Sequence, residues 1–213
     1  MNHLMLYRLY QQHIFPHVLN HVMQIPSLIQ QRERLLAPIR GQVLEIGFGT
    51  GINLPFYQQV DTVYALEPNA AVYALAANRV HESAIAVQHI QARAEKLPFA
   101  DNSIDHIVST WTLCSIENLP QALNELHRVL KPAGTLHVLE HVQYHDQPQL
   151  KYLQNLLTPL QKRLADGCHL NRNIEQALKQ AHFSFNELHY FDAAGVVKIA
   201  RRMLFARAVK IAK

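Results

Sequence analysis

The sequence predicts an α/β fold: a doubly wound mixed sheet, mostly parallel, with an antiparallel strand at its C-terminal edge and a helical cap at its N-terminus. Three observations predict it. Short apolar runs alternate with helical segments between residues 42 and 140, the pattern of strands paired in parallel through right-handed crossovers. Three of the chain's seven glycines fall at Gly47, Gly49 and Gly51, directly after the first of those runs. Two more strand-like runs close the chain with only a short segment between them, which suits antiparallel pairing at a sheet edge.

Each element has its own signal. Residues 1–40 read as helical, with Leu4, Leu6, Leu9, Ile14, Val18 and Val22 among polar residues, and Pro16 and Pro26 divide the region into shorter helices. Gln42–Ile46 is the first strand, and a glycine-rich turn leads to a short helix near Ile52–Tyr57. Thr62–Leu66 is the second strand, Ala70–Val80 an alanine-rich helix, Ala84–Ile90 the third strand and Ile104–Ser109 the fourth. Asn118 caps a helix that carries Ala122, Leu123, Leu126, Val129 and Leu130 on one face. Lys131-Pro132-Ala133-Gly134 stops it, and Thr135–Glu140 is the fifth strand. Leu150–Leu164 and Arg172–Ala181 are helical, and Phe183–Phe191 and Met203–Ile211 are the closing strands.

The length of 213 residues suits a single domain over 1–213: a helical cap to residue 40, a ligand-binding core over 41–145, and helices with the antiparallel pair over 146–213. Apolar residues make up 49% and charged residues 17% of the chain, which excludes a disordered composition. The net charge of +4 is mildly basic. Only Lys198, Arg201, Arg202, Arg207, Lys210 and Lys213 are dense, and they read as solvated positions about a strand, so no nucleic-acid partner is expected. Two cysteines, Cys114 and Cys168, are too few for a disulfide scaffold and fit a reducing compartment. No leader and no run of 18 apolar residues is visible, so the expectation is a cytoplasmic protein without an integral membrane segment, a monomer or a homodimer, for which peripheral membrane contact stays open.

The chemistry is concentrated at Glu45-Ile46-Gly47-Phe48-Gly49-Thr50-Gly51. Glycine there allows φ > 0 and close approach of a ligand at the C-terminal edge of the sheet. A dinucleotide loop needs Gly-x-Gly-x-x-Gly, and Ile52 occupies the third glycine's place. Glu45 is a poor neighbour for a pyrophosphate and a good one for a ligand that carries an ammonium and a sulfonium. Glu67 ends the second strand 20 residues after Gly47, where a carboxylate can accept hydrogen bonds from both ribose hydroxyls. Pro68 and Asn69 follow within reach of the same nucleoside.

These segments resemble the class I S-adenosylmethionine-dependent methyltransferases of the quinone-methyltransferase-like group, in particular the subgroup that includes the membrane-bound alkyl-thiol methyltransferases. The resemblance runs through Val43–Gly51, Asn53-Leu54-Pro55-Phe56-Tyr57, Leu66-Glu67-Pro68-Asn69, Ala94-Glu95-Lys96-Leu97-Pro98-Phe99 and Asn102-Ser103-Ile104-Asp105. It continues in Thr112-Leu113-Cys114-Ser115, Arg128–Gly134, Glu140-His141-Val142 and Asp166-Gly167-Cys168-His169-Leu170. Ala133 stands where the family often has a glycine, Ile104 where it often has phenylalanine, and the hydrophobic N-terminal anchor of the membrane-bound members is not seen. The resemblance implies a Rossmann-like methyltransferase fold that uses S-adenosylmethionine and releases S-adenosylhomocysteine. It implies adenine against the main chain at Ala94 and Glu95, ribose on Glu67, and the methionine part between the glycine loop (Gly47, Phe48, Gly49, Gly51), Glu45 and Asn53, with Thr110 near the methionine end.

Methyl transfer is an in-line displacement with a neutral thioether as leaving group, so alignment and water exclusion are the main requirements. A thiol acceptor ionises near about pH 8.5 and needs little help; a hydroxyl or carbon acceptor needs a base. His141, at the end of the fifth strand, is the candidate catalytic residue, as proton acceptor or substrate-orienting group; a structural histidine is the alternative. Tyr7, Tyr10, Trp111, Thr112 and His169 are the candidate groove residues, with plain packing or a structural turn as the alternative. His13, His17 and His21 have the spacing of helical metal ligands, but Pro16 interrupts them and no carboxylate joins them, so no metal is expected. The expected function is methylation of a small-molecule thiol or sulfide; a quinol-type carbon or oxygen acceptor, or another small lipophile, is the alternative. A non-catalytic cofactor-binding regulator is the alternative of another class.

Overall fold

The computed structural model describes residues 13–211 together with Met5, Tyr7, Leu9 and Tyr10. Leu4, Leu6 and Lys213, read above as part of the cap and of the basic C-terminal stretch, lie outside the described residues.

After helical positions at Met5, Tyr7, Leu9 and Tyr10, two cap helices are described throughout, α1 (Phe15–Val22) and α2 (Pro26–Leu36), each with its proline in the first turn, where a missing N–H costs no hydrogen bond. The prolines therefore start helices as well as divide them. The strands are β1 (Arg40–Ile46), β2 (Gln59–Leu66), β3 (Ala86–Ile90), β4 (Ile104–Thr110), β5 (Leu130–His141), β6 (Phe183–Asp192) and β7 (Arg202–Lys210). Between them lie a single 3-10 turn at Leu54–Phe56 and helices α3 (Ala70–Ala74), α4 (Ala77–Glu82), α5 (Leu119–Val129), α6 (Pro148–Leu164) and α7 (Ile174–Gln180). The single helix expected over Ala70–Val80 is two, broken at Leu75 and Ala76. The Lys131–Gly134 stop belongs to β5, which already pairs Leu130 with Ile104 before its register shifts.

The described residues form one seven-stranded sheet in the order β3-β2-β1-β4-β5-β7-β6. The first five strands are parallel, and β7 runs antiparallel to both β5 and β6. The antiparallel C-terminal strand thus lies one place inside the edge, and β6 is outermost. Burial explains the order: Met203, Leu204, Phe205 and Ala206 of β7 are fully buried, whereas most of β6 is only half-buried. The basic residues nearby are paired within the fold, Arg202 with Asp146 and Asp192, Arg207 with Glu187, and Arg201 with Asp192.

Alternation along the strands divides the core into two layers. Leu44 and Ile46 point to the layer that holds Leu119, Leu123 and Leu126 of α5. Val43 points to the opposite layer, with Leu28, Leu35 and Leu36 of α2 and Phe205 of β7. Glu45 shares that second face and is held at the point where strand order reverses between β1 and β4, the position at which open α/β sheets bind ligands.

Candidate active site

A cavity of about 840 Å³ opens at the C-terminal ends of β1, β2 and β4, a size that suits a nucleoside cofactor with a small second molecule. The glycine loop forms its floor. Gly47, Gly49 and Gly51 all have positive φ, and the amides of Gly47 and Phe48 donate to Leu66 O at 2.9 and 3.1 Å, tying the loop to the end of β2. A Cβ on Gly47 would stand 2.2 Å from Thr112 Oγ1, so glycine is required there by contact as well as by backbone conformation.

Two buried carboxylates flank the loop. Glu45 Oε1 accepts from Asn53 Nδ2 at 2.9 Å and Oε2 from Tyr57 Oη at 2.7 Å. Burial pushes its pKa up to about 7, against the opposing pull of those two hydrogen bonds and of Arg32. Arg32 is fully buried on α2, lines the cavity, and donates to Met23 O at 3.0 Å. Glu67 accepts from Gly49 N and Asn69 N, each at 3.0 Å, and burial raises its pKa. Asn69 itself caps α3 by accepting from Ala71 N and Val72 N.

Most residues singled out in the sequence meet here. Glu45, Gly47, Phe48, Gly49, Glu67, Pro68, Asn69, Ala94, Glu95, Thr110, Tyr10, Trp111 and Thr112 all line the cavity. Five stand back from it. Asn53 holds Glu45 and donates to Thr110 Oγ1 at 3.1 Å. Gly51 packs against Phe48 and Ala76, and Tyr7 lies off the cavity wall, 39% exposed. His169 joins Cys114 O through its backbone amide and its ring. His141, the candidate proton acceptor, is buried behind the wall with Nε2 2.8 Å from Cys168 Sγ; it reaches the cavity only through Cys168, which does line it.

Sequence reasoning missed several residues that shape the site. Arg32 reads as one more solvated position of an amphipathic helix, and only the tertiary fold buries it. Glu140 is fully buried and accepts from Ser109 Oγ, Thr112 N, Leu113 N and Cys114 N, so one carboxylate moulds the whole turn after β4. That turn carries Trp111 at φ 58°, strained for a bulky residue. Arg128 of α5 donates to Leu97 O and Phe99 O at 3.1 and 2.8 Å and pairs with Glu125, which anchors the loop of Ala94 and Glu95. The cap is tied down by Thr50 Oγ1 donating to Asn20 Oδ1 at 2.9 Å, by Arg79 reaching Asn20 and Thr50, and by Tyr10 Oη donating to Leu164 O at 2.8 Å.

Cys114, His141 and Cys168 form one buried group at the β4–β5 end. Cys114 and Cys168 are hydrogen-bonded to each other, Sγ to Sγ 3.8 Å. The Cys168 thiol is pulled well below its usual range by that bond and by His141, and the Cys114 thiol is pushed up by the same bond and by burial. Burial pulls His141 down, but Cys168 and Glu140 outweigh it and its pKa rises.

A seven-stranded sheet in this order, with a glycine loop between two buried carboxylates at its switch point, defines a class I methyltransferase. The comparisons with known proteins agree. The family described as a methyltransferase domain matches residues 44–138. Thiol S-methyltransferase TMT1A of Homo sapiens is 33% identical over 175 residues, which is 79% of this chain and 70% of that protein. The ubiquinone/menaquinone biosynthesis C-methyltransferase UbiE of Haemophilus ducreyi is 30% identical over 56% of this chain and 52% of its own length. A Haloferax volcanii methyltransferase, solved in complex with the Trm112 methyltransferase activator, shares the fold with a TM-score of 0.71 at 14% identity, covering 97% of this chain and 98% of that one. The chain belongs to the S-adenosylmethionine-dependent methyltransferases, in the group that contains the thiol S-methyltransferases and the quinone C-methyltransferases. It spans only part of the length of these curated relatives, and among its described residues no helix is long and apolar enough to cross a membrane.

Proposed function

We propose that the chain transfers the methyl group of S-adenosylmethionine to the sulfur of a small, lipophilic thiol or sulfide and releases S-adenosylhomocysteine. Glu67 accepts the ribose hydroxyls in place of the Gly49 amide it now accepts from. Adenine lies against Ala94 and Glu95, beside Pro68 and Asn69. Glu45 faces the ammonium group, buried Arg32 faces the carboxylate of the same methionine moiety, and Asn53 and Thr110 set the position of Glu45. The opposite charges of Glu45 and Arg32 match the zwitterion end to end.

The observation that carries the acceptor class is the similarity to thiol S-methyltransferase TMT1A over 79% of the chain, and two of the bases near the turn after β4 are already engaged. Glu140 is spent on four hydrogen bonds, and His141 Nε2 is engaged by Cys168. A hydroxyl or carbon acceptor would need a free base, whereas a thiol ionises close to neutrality. Apolar walls from Phe15, Val18, Val22, Trp111 and Ile116 fit a lipophilic body, and the similarity to TMT1A supports sulfur as the acceptor atom. One observation favours the quinol reading: Trp111 Nε1 is buried without a hydrogen-bond partner and would suit an acceptor oxygen, as the similarity to UbiE would suggest.

Release of S-adenosylhomocysteine is measured with purified protein across small thiols, sulfide, quinols and phenols. Turnover with thiols is expected. Turnover with quinols or phenols alone overturns the sulfur reading and moves the acceptor to Trp111's hydrogen bond.

A further inference from the structure

Three side chains from three separate elements meet under the acceptor end of the cavity: Cys114 from the turn after β4, His141 from the end of β5, and Cys168 from the loop after α6. All are buried, and one ligand atom from each lies within 4.8 Å of the other two. Cys114 and Cys168 line the cavity, and His141 stands behind them.

We propose that Cys114, His141 and Cys168 bind a zinc ion with three protein ligands, and that the fourth position opens on the cavity and receives the acceptor's sulfur. The identity of the fourth ligand rests on the thiol reading above; the metal site stands on its own geometry. Two cysteines and a histidine with one open position form a recognised ligand set for catalytic zinc. Two thiolates on a tetrahedral zinc at about 2.3 Å lie about 3.8 Å apart, and the two sulfurs here are 3.8 Å apart. A zinc-bound pair of sulfur and nitrogen lies about 3.5 Å apart. The His141 ring, now 2.8 Å from Cys168 Sγ, therefore moves back by about 0.7 Å when the ion replaces the hydrogen bond.

The surroundings suit an ion. Two thiolates neutralise the dication, and the nearby charges of Arg172 and Glu140 offset each other. The ligand loops are already fixed: Glu140 accepts from Cys114 N, and His169 N and Nδ1 both meet Cys114 O. When the ion binds, Cys114 gives up its thiol proton and the hydrogen-bonded Cys168–His141 pair gives up the one it shares, both to solvent, and an incoming thiol loses its proton as it takes the fourth position. Its sulfur then bonds to the methyl carbon as the carbon–sulfonium bond breaks, with the electron pair passing to the sulfonium sulfur. The thioether product has no charge and binds the ion weakly, which favours its release.

The test uses the full chain, reduced, loaded with zinc and freed of excess, with metal per chain measured. One zinc per chain is expected. Cobalt in its place should give thiolate-to-metal charge-transfer bands that shift when a thiol acceptor is added. Affinity should fall more than about a hundredfold in Cys168→Ser and in Cys114→Ser, since loss of an outer hydrogen-bond partner alone costs about 10–100-fold. Retained binding of S-adenosylhomocysteine marks each variant as folded. Wild-type protein without stoichiometric zinc, cobalt without thiolate bands, or a folded Cys168→Ser variant with undiminished affinity overturns the site. A zinc-free chain that still methylates thiols refutes the metal and leaves the sulfur reading standing; a zinc-loaded chain active only on quinols does the reverse.

Discussion

Glu45 and Glu67 are both buried carboxylates, yet their partners set them different tasks. Glu67 accepts only backbone amides, so its oxygens can be handed to ribose hydroxyls. Replacing it with alanine should weaken S-adenosylhomocysteine binding by more than about tenfold, because hydrogen bonds to a charged group contribute about 1.5–3 kcal/mol; unchanged affinity in a binding titration would refute the ribose assignment. Glu45 makes a pH prediction. Its folded pKa of about 7 lies above the ordinary 4.5, so ionising it in the empty protein costs stability that is lost as pH rises from about 4.5 to about 7. In the proposed binding mode the cofactor's ammonium faces Glu45 and would reverse that cost by favouring the carboxylate. Cofactor affinity should therefore climb as pH rises to about 7, with uptake of ligand releasing a proton, and Glu45→Gln should abolish both effects. Calorimetry in buffers of different ionisation enthalpy measures the proton directly. His137 shows the opposite case: burial, with the charges of His106 and Arg207, lowers it to about 3. The chain's 14 histidines therefore add less positive charge near pH 6 than their number suggests.

The elements matter here chiefly through their ends. The turn after β1 works only with positive φ at Gly47 and with no side chain against Thr112. Gly47→Ala should cost about 1–3 kcal/mol of stability from backbone strain alone and lose cofactor binding. A chemical denaturation curve reads the first effect and a titration the second; an alanine variant that binds normally would show that the loop can move aside. The cap of α3 offers a milder test. Asn69→Ala removes the side chain that accepts from Ala71 N and Val72 N and should cost about 1 kcal/mol. The expected strands and helices were legible because apolar periodicity and glycine or proline punctuation are local signals. The break at Leu75–Ala76 was not, because alanine-rich sequence gives no reason to interrupt a helix.

At the scale of the molecule, two apolar layers hold a site that the cap closes from one side. A ligand that binds only the folded chain stabilises it by about 2.7 kcal/mol at a hundred times its Kd. For a chain of this length that amounts to a rise in Tm of about 5–10 °C. S-adenosylhomocysteine should produce that shift, NAD should not, and a reversal of the two would overturn the cofactor assignment.

The sequence by itself determined the parallel β/α core, the glycine loop, the pair Glu45 and Glu67, and membership of a methyltransferase group, because those depend on spacing within single turns and strands. Tertiary structure decided the rest. Arg32 became a cavity residue only when α2 packed over the sheet. Strand β7 entered inside β6 because its apolar residues needed cover on both faces. Cys114, His141 and Cys168 became neighbours because three segments 27 residues apart in the chain converge on one end of the sheet, a proximity that no local pattern records.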